Sequence, residues 1–124
     1  MVVYNRRGGD FDVGSNGDVN LTGPPATSAY RGILFFQDRT AAAATHNLGS
    51  TGSCLSLNGT LYMTNSNPTA TRYQTIDYRG HPCSGSYPLG NIFVDALTVR
   101  NGADLDMRLS QTSTFNVKQI AMVQ

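Results

Sequence analysis

The chain has 124 residues and a formal net charge of +1, which is enough chain for one ordinary domain. All eight acidic residues are Asp and eight of the nine basic residues are Arg, whereas Gly and Thr each occur thirteen times and Asn ten times. Because Glu and Lys favour helices while Gly, Asn, Asp and Thr favour turns and caps, a mainly helical protein is close to excluded. The small net charge argues against a nucleic-acid binder, which normally carries a basic stripe.

Short strand patterns follow one another along the chain. Most alternate apolar and polar residues, which is typical of a strand with one buried face, whereas Gly32–Gln37 is a continuous apolar run typical of a strand covered on both faces. Only Arg39–His46, which contains four consecutive Ala, is compatible with a helical turn or two. The predicted strands in chain order are Val2–Tyr4, Phe11–Val13, Asp18–Leu21, Gly32–Gln37, Cys54–Leu57, Thr60–Met63, Gln74–Tyr78, Asn91–Val99, Ala103–Leu109 and Phe115–Val123.

An Asn-Gly pair occurs three times, at 16–17, 58–59 and 101–102, and a predicted strand begins at or next to each pair. Asn-Gly makes tight corners because both residues tolerate positive φ. The pairs are compatible with hairpin turns in a β-sandwich or with the corners of a β-solenoid, in which similar positions stack from coil to coil. The even spread of corner-forming polar residues favours the solenoid. We therefore expect residues 1–124 to form a single all-β, β-solenoid-like domain, with a β-sandwich as the alternative.

A solenoid leaves its two ends open, and apolar strands lie near both ends of this sequence. Such strands act either as caps or as edges that accept another strand. The candidate interface residues at these ends are Val2, Val3, Tyr4, Phe115, Val117 and Ile120.

Several segments resemble the C-terminal region of TadE/TadG-like proteins of tight-adherence (Flp) pilus assembly. That region carries patterns such as "Tyr-x-Gly-Ile-x-x-Phe-Gln-Asp-Arg" and "x-Gly-Thr-Ile-Tyr", and the similar segments here follow in the same order. They are Gly17–Pro24, Tyr30–Arg39, Leu57–Tyr62, Asn91–Val99 and Asn101–Leu105. The chain departs from the family in lacking its N-terminal membrane helix and in its longer segment Tyr73–Pro88.

The resemblance implies a right-handed β-helix-like fold and a pilus or cell-surface setting outside the bacterial cell. Any membrane attachment would then come from a parent anchor that this chain does not contain. The family supplies no catalytic residues to place on this sequence.

The two cysteines, Cys54 and Cys83, are expected to form a disulfide if the protein is exported. The alternative is a pair of buried free thiols in a cytosolic protein. A zinc site built from both cysteines with His46 and His81 matches no known ligand spacing. We place His46 on the surface and His81 in a loop.

Three aspartates, Asp10, Asp12 and Asp18, alternate with Gly and Asn in a way that can hold Ca²⁺. They fail the EF-hand pattern, and outward-facing Asp on a strand is the simpler interpretation. No phosphate-binding loop, nucleophile elbow or metalloprotease motif occurs. We therefore expect no metal, no cofactor and no enzyme activity.

Aromatic and basic residues gather in one segment of the chain. Tyrosine rings pack against sugars and are enriched at protein interfaces, where Arg is enriched too, but the rings could equally cover a coil edge. The candidate ligand-binding residues are Arg72, Tyr73, Tyr78, Arg79 and Tyr87.

These observations favour a non-enzymatic structural or adhesive extracellular domain. Its expected partners are a second copy of the chain or another surface or pilus protein, with contact through the terminal strands. The alternative is a carbohydrate-binding module that uses the Tyr73–Tyr87 segment to bind a polysaccharide. A small β-helical polysaccharide-cleaving enzyme is disfavoured by the length of the chain.

Overall fold

A computed structural model describes residues 1–13, 17–50, 52, 54–69, 71–81, 83, 91–100 and 103. These residues form strands and contain no helix, and so none long and apolar enough to cross a bilayer. The all-β class predicted from composition is confirmed for this part of the chain. The ten strands are β1 (Val3–Asn5), β2 (Asp12–Val13), β3 (Val19–Thr22), β4 (Ile33–Gln37), β5 (Thr45–Leu48), β6 (Leu55–Asn58), β7 (Thr60–Met63), β8 (Thr75–Tyr78), β9 (Ile92–Val94) and β10 (Ala96–Val99).

The strands form three parallel sheets. Sheet A has the order β1-β4-β7-β9, sheet B the order β2-β5-β8-β10, and sheet C pairs β3 with β6. Strands β1, β2 and β3 belong to sheets A, B and C in that order, and β4, β5 and β6 repeat the order. The next two pairs of strands, β7 with β8 and β9 with β10, each add one strand to sheet A and then one to sheet B. After β8, His81 forms a parallel bridge with Cys54, which lies next to β6. Every pair among the described strands is parallel.

The corner at Asn58 and Gly59 explains why this topology is not built from hairpins. Gly59 alone separates β6 from β7, yet these strands belong to different sheets and do not pair with each other. Gly59 has a φ of +147°, and a Cβ there would lie 2.9 Å from the Cβ of Leu34. The described pairing therefore differs from the antiparallel pairing of the β-sandwich alternative. The other two Asn-Gly pairs include residues outside the described part of the chain.

Successive corners stack closely where sheets B and C meet. Gly49 follows β5 and Gly80 follows β8, and a Cβ on Gly49 would lie 2.5 Å from the Cα of Gly80. Gly49 also has a φ of +84°, a conformation that side chains rarely adopt. Glycine at this corner allows the two backbone segments to approach each other.

The hydrophobic core lies between the three sheets. Most strands contribute alternate residues to it, whereas β4 contributes the consecutive residues Leu34 and Phe35, where its register with β7 shifts. The apolar side chains of Leu34, Phe35, Leu48 and Ile76, from β4, β5 and β8, are at most 1% exposed. The other buried members of the cluster are Val13, Leu55, Leu57, Leu61, Met63 and Tyr78.

The structure corrects the predicted strands in two places. Thr45–Leu48, which overlaps the segment considered for a helical turn, is strand β5. The long predicted strand Asn91–Val99 is two strands in two sheets, separated by Asp95 alone. The predicted strands at 103–109 and 115–123 lie outside the described residues, except for Ala103, which packs against the core.

The predicted disulfide is confirmed: Cys54 and Cys83 are bonded, with their Cα atoms 4.6 Å apart. The bridge lies beside the backbone hydrogen bond in which the Leu55 amide donates to the His81 carbonyl oxygen at 2.8 Å. It therefore ties the segment after β8 to the start of β6. A structural disulfide is typical of proteins in an oxidising environment.

Reducing this disulfide is expected to destabilise the fold. The two cysteines are 29 residues apart, and a closed loop of that length corresponds to roughly 3.6 kcal/mol in the chain-entropy model. Urea unfolding of the native protein and of the reduced, alkylated protein measures the difference. A Cys54→Ser/Cys83→Ser variant is the control, because reductant should leave its unfolding curve unchanged. Labelling of both cysteines by a thiol reagent in the untreated protein would contradict the bond.

Candidate functional site

A row of four aromatic side chains runs across the outer face of sheet A, one from each strand. Tyr4 is paired in register with Phe36, Phe36 with Tyr62, and Tyr62 with Phe93. The ring centroids of successive members are 5.7, 5.2 and 5.8 Å apart. We call these four residues the aromatic row.

The aromatic row follows from the local pattern of each strand. In each strand the aromatic residue is flanked by two residues that face the protein interior. Examples are Leu61-Tyr62-Met63 and Ile92-Phe93-Val94. Successive side chains of a strand point to opposite faces, so the middle residue faces outward. In-register parallel pairing then places each outward ring beside the ring of the next strand.

The rings inside the aromatic row differ from the rings at its ends. Phe36 and Tyr62 are nearly parallel, with an interplanar angle of 9°, and each has a ring neighbour on both sides. Tyr4 and Phe93 have a described ring neighbour on one side only, and they are 55% and 43% exposed. The aromatic surface most available for further contact therefore lies at the two ends of the row.

An apolar cleft of about 560 Å³ opens beside the first end of the aromatic row. Tyr30, which lies in the turn before β4 and is 64% exposed, is one of the residues that line this cleft. We call it the tyrosine cleft. Its lining residues are Val2, Tyr4, Tyr30, Ile33 and Phe36.

The carboxylate of Asp38 contacts the hydroxyl group of Tyr4, a lining residue of the tyrosine cleft. The Tyr4 hydroxyl donates to Asp38 Oδ2 at 3.5 Å. The backbone amide and hydroxyl of Thr40 donate to Asp38 Oδ1 at 2.8 and 2.7 Å. These two hydrogen bonds are the main cause that holds the pKa of Asp38 below its ordinary value. Asp38 is therefore a fixed negative charge beside an apolar surface.

The predicted interface residues are only partly covered by the described structure. Val2, Val3 and Tyr4 lie at or next to β1, which is an edge strand of sheet A. Val3 packs partly against the core, whereas Tyr4 faces outward. Phe115, Val117 and Ile120 lie outside the described residues.

The structure does not assemble the predicted ligand-binding set around Tyr73. Tyr78 is 2% exposed and belongs to the core, because it lies on the same face of β8 as Ile76. The placement of Tyr78 on an accessible binding surface was therefore wrong. Arg72 and Tyr73 are exposed, as predicted, and Tyr87 lies outside the described residues.

The fifth member of that set, Arg79, is engaged by a neighbouring carboxylate. Its Nη2 and Nε atoms donate to Asp77 Oδ2 at 2.5 and 3.1 Å, and Arg100 Nε lies 3.6 Å from Asp77 Oδ1. The Arg79 hydrogen bond is the main cause that lowers the pKa of Asp77. Two partly exposed guanidinium groups thus lie against the buried carboxylate of Asp77, whose Oδ1 atom accepts no hydrogen bond from them.

The three aspartates considered for calcium are not gathered into one cluster of carboxylates. Asp10, Asp12 and Asp18 are all described, and no group of three or more potential ligands of the His, Cys, Asp or Glu type occurs among the described residues. Asp18 instead accepts a hydrogen bond from the amide of Cys54 at 3.4 Å. It joins the start of β3 to the start of β6.

His46 is fully buried, so its predicted surface position was wrong. Its Nδ1 atom accepts from the amide of Phe11 at 3.1 Å, and its Nε2 atom lies 3.1 Å from Gln74 Oε1. Since an amide oxygen only accepts, Nε2 carries the hydrogen and the ring is neutral. Gln74 Oε1 also accepts from the Ala44 amide, and Gln74 Nε2 donates to the Ala42 carbonyl oxygen.

The same polar network continues to the residue that separates β9 from β10. Asp95 Oδ2 accepts from the amides of Asn65 and Gln74 at 2.9 and 2.7 Å. Asn65 Nδ2 in turn donates to the Ala41 carbonyl oxygen at 3.3 Å. These bonds tie together the corners between sheets A and B. The network uses its polar groups for the fold, which leaves the aromatic row and the tyrosine cleft as the candidate interaction surface.

Of this surface, sequence reasoning identified only Val2 and Tyr4. The four rings of the row are 32, 26 and 31 residues apart, so no fixed period in the sequence marks them. The signal that could have found them is an aromatic residue at the centre of a short apolar segment, repeated in successive strands. Tyr30 lies in a turn and carries no such signal.

No family model, curated protein or solved structure matches this chain.

The buried imidazole predicts that stability falls in mildly acidic solution. Burial is the main cause that lowers the pKa of His46, while the Gln74 hydrogen bond and the charge of Asp10 act in the opposite direction. The unfolded chain takes up a proton near the ordinary pKa of about 6.5, before the native state does. The free energy of unfolding should therefore be highest above that pH and decrease as the pH falls toward the native pKa.

Urea unfolding between about pH 7.5 and pH 5, above the range in which carboxylates titrate, measures this decrease. A His46→Gln variant should be less stable at neutral pH but should lose the decrease over this interval. His81→Gln, which retains His46, should keep it. Equal slopes in the wild type and His46→Gln would show that another group is responsible.

Proposed function

We propose that this chain is an exported, non-enzymatic structural domain that acts through its contact surfaces. Its parallel sheets, visited repeatedly in the same order, support the β-solenoid architecture expected from the sequence, since each circuit of the chain adds one strand to sheet A and one to sheet B. Solenoids stack neighbouring coils on one another and present extended surfaces. This architecture suits a structural or adhesive role.

A position at the cell surface, in association with a pilus, is part of the proposal. It rests on the resemblance of segments such as Tyr30–Arg39 to TadE/TadG-like proteins, and the Cys54–Cys83 disulfide is consistent with an oxidising environment outside the cytosol. The resemblance supplies the setting, and the disulfide supplies an independent physical reason for export.

The observation that carries the proposed function is the composition of β1, an edge strand among the described strands of sheet A. Edge strands are usually protected by charged residues, proline or a bulge, but Val3-Tyr4-Asn5 contains neither a charge nor a proline. Its outward residue, Tyr4, ends the aromatic row with most of its surface in solvent. An exposed apolar edge of this kind favours the addition of another strand. We therefore propose self-assembly through the terminal strands.

The mass in solution, measured by light scattering behind a sizing column, tests this function. We expect oligomers or filaments that increase with protein concentration, and filaments should be visible by electron microscopy. A Tyr4→Lys variant should require roughly tenfold more protein to assemble, equivalent to about 1.4 kcal/mol. Tyr73→Lys is the matched control, because it makes the same change at another exposed tyrosine outside the sheets.

Tyr4 is a better position for this test than Val3. Val3 packs against the core, so a charge there would test folding as well as assembly. A folded wild-type monomer of 13.3 kDa at every concentration would contradict the proposed self-assembly.

Carbohydrate binding is the second candidate function, and the tyrosine cleft supports it better than the Tyr73–Tyr87 segment does. Tyrosine rings offer an apolar face and a hydroxyl, and Tyr4 and Tyr30 both line this cleft beside the Asp38 carboxylate. Tyr78, by contrast, is withdrawn into the core.

A panel of polysaccharides tests this candidate. If the cleft binds sugar, Tyr30→Ala should reduce affinity by at least about tenfold, whereas Tyr73→Ala should leave it unchanged. Absence of binding by the wild type, or equal loss in the two variants, would exclude the tyrosine cleft as a sugar site.

A further inference from the structure

The two ends of the strand stack are complementary to each other. Strands β1 and β2 lie at one edge of sheets A and B, and β9 and β10 lie at the opposite edge of the same sheets among the described residues. Since every described pair is parallel, β1 of a second copy in the same orientation would run parallel to β9. A second copy placed on this edge would repeat the pairing found inside the molecule.

The exposed ends of the aromatic row fit this arrangement in sheet A. Phe93 at one end and Tyr4 at the other are both exposed, and each already contacts one ring of the row. If β1 of one copy pairs with β9 of another in the internal register, Tyr4 takes the place beside Phe93. The aromatic row then continues across the boundary between the copies.

The last described strand of sheet B, β10, carries apolar side chains that a further strand would cover. Val99 follows Tyr78, Leu48 and Val13 in one in-register series of core-facing positions, yet Val99 is exposed. Leu97 similarly follows Ile76 and is exposed. In the same register, β2 of a second copy would lie over β10 and place Val13 beside Val99.

Charges of opposite sign lie on the two ends close to positions that would meet. Arg6 and Arg7 lie in the corner after β1, whereas Asp95 is the corner after β9. Asp12 lies in β2, whereas Arg100 directly follows β10. Contact between unlike ends therefore brings opposite charges together, while contact between like ends brings Arg6 and Arg7 of both copies together. This complementarity favours a head-to-tail orientation.

We infer that the partner of the β1–β2 edge is the β9–β10 edge of a second copy of this chain, in the register Tyr4 beside Phe93 and Asp12 beside Thr98. The inference rests on the proposed self-assembly and specifies its interface. Such a contact uses different surfaces on the two copies, so it leaves a free edge after each addition and builds an open filament.

Disulfide trapping between two variants, each with one added cysteine, tests this interface. Adjacent strands lie about 4.8 Å apart, within the range of Cα separations that a disulfide spans. Tyr4→Cys and Phe93→Cys are prepared separately, each retaining the native disulfide, and are mixed under mild oxidation. A cross-linked dimer should form in the mixture and in neither variant alone, because position 4 of one copy meets position 93 of another.

A second pair in sheet B makes the test independent of the lost aromatic rings. Asp12→Cys mixed with Thr98→Cys should also give a dimer only in the mixture. Non-reducing gel electrophoresis and intact mass identify the product, and cleavage by reductant confirms the bond.

The outcomes separate this inference from the proposed function. Cross-linking that occurs in both mixtures, and in none of the variants by itself, supports the head-to-tail interface. Cross-linking of one variant with itself would show contact between like ends and overturn it. Assembly of the wild type without cross-linking in either mixture would leave self-assembly standing but exclude this register. A wild type that stays monomeric would overturn both.

Discussion

In-register parallel stacking is the constraint on which the rest of this structure depends. In each sheet a residue lies beside the equivalent residue of the next circuit, as Tyr62 lies beside Phe93 and Leu48 beside Tyr78. The environment of a side chain is therefore set by its counterpart in the adjacent strand. The core, the aromatic row and the polar network are three results of this one arrangement, on the inner face, the outer face and the corners.

Much of the fold could be predicted because alternation of apolar and polar residues records which face of a strand is buried. The same rule, applied to Gln74–Tyr78, places Tyr78 with Ile76 in the core. The aromatic and basic residues near Tyr78 instead led to the prediction of a ligand-binding role. The break at Asp95 was not predictable from its neighbours. Its cause is the bonding of its carboxylate to the amides of Asn65 and Gln74, far away in sequence.

The candidate surface was less predictable than the fold for a related physical reason. Alternation shows that Phe36 or Phe93 faces outward, but only the pairing between strands shows that the two rings belong to one row. The corners between the strands differ in length, so the spacing of residues in the sequence does not show which strands pair. The buried position of His46 has the same origin, because its partners Phe11 and Gln74 come from different circuits of the chain.

The unequal corners between sheets A and B have a consequence for how this protein can vary. Asp95 alone connects β9 to β10, whereas residues 64–74 connect β7 to β8, and yet both pairs of strands keep the same register with their neighbours. Length is thus tolerated in the corner while the strands stay matched. Insertions and grafted recognition loops should be accommodated within 66–73, outside the buried Asn65 and Gln74, so that this corner is the natural place for sequence diversity and for engineering.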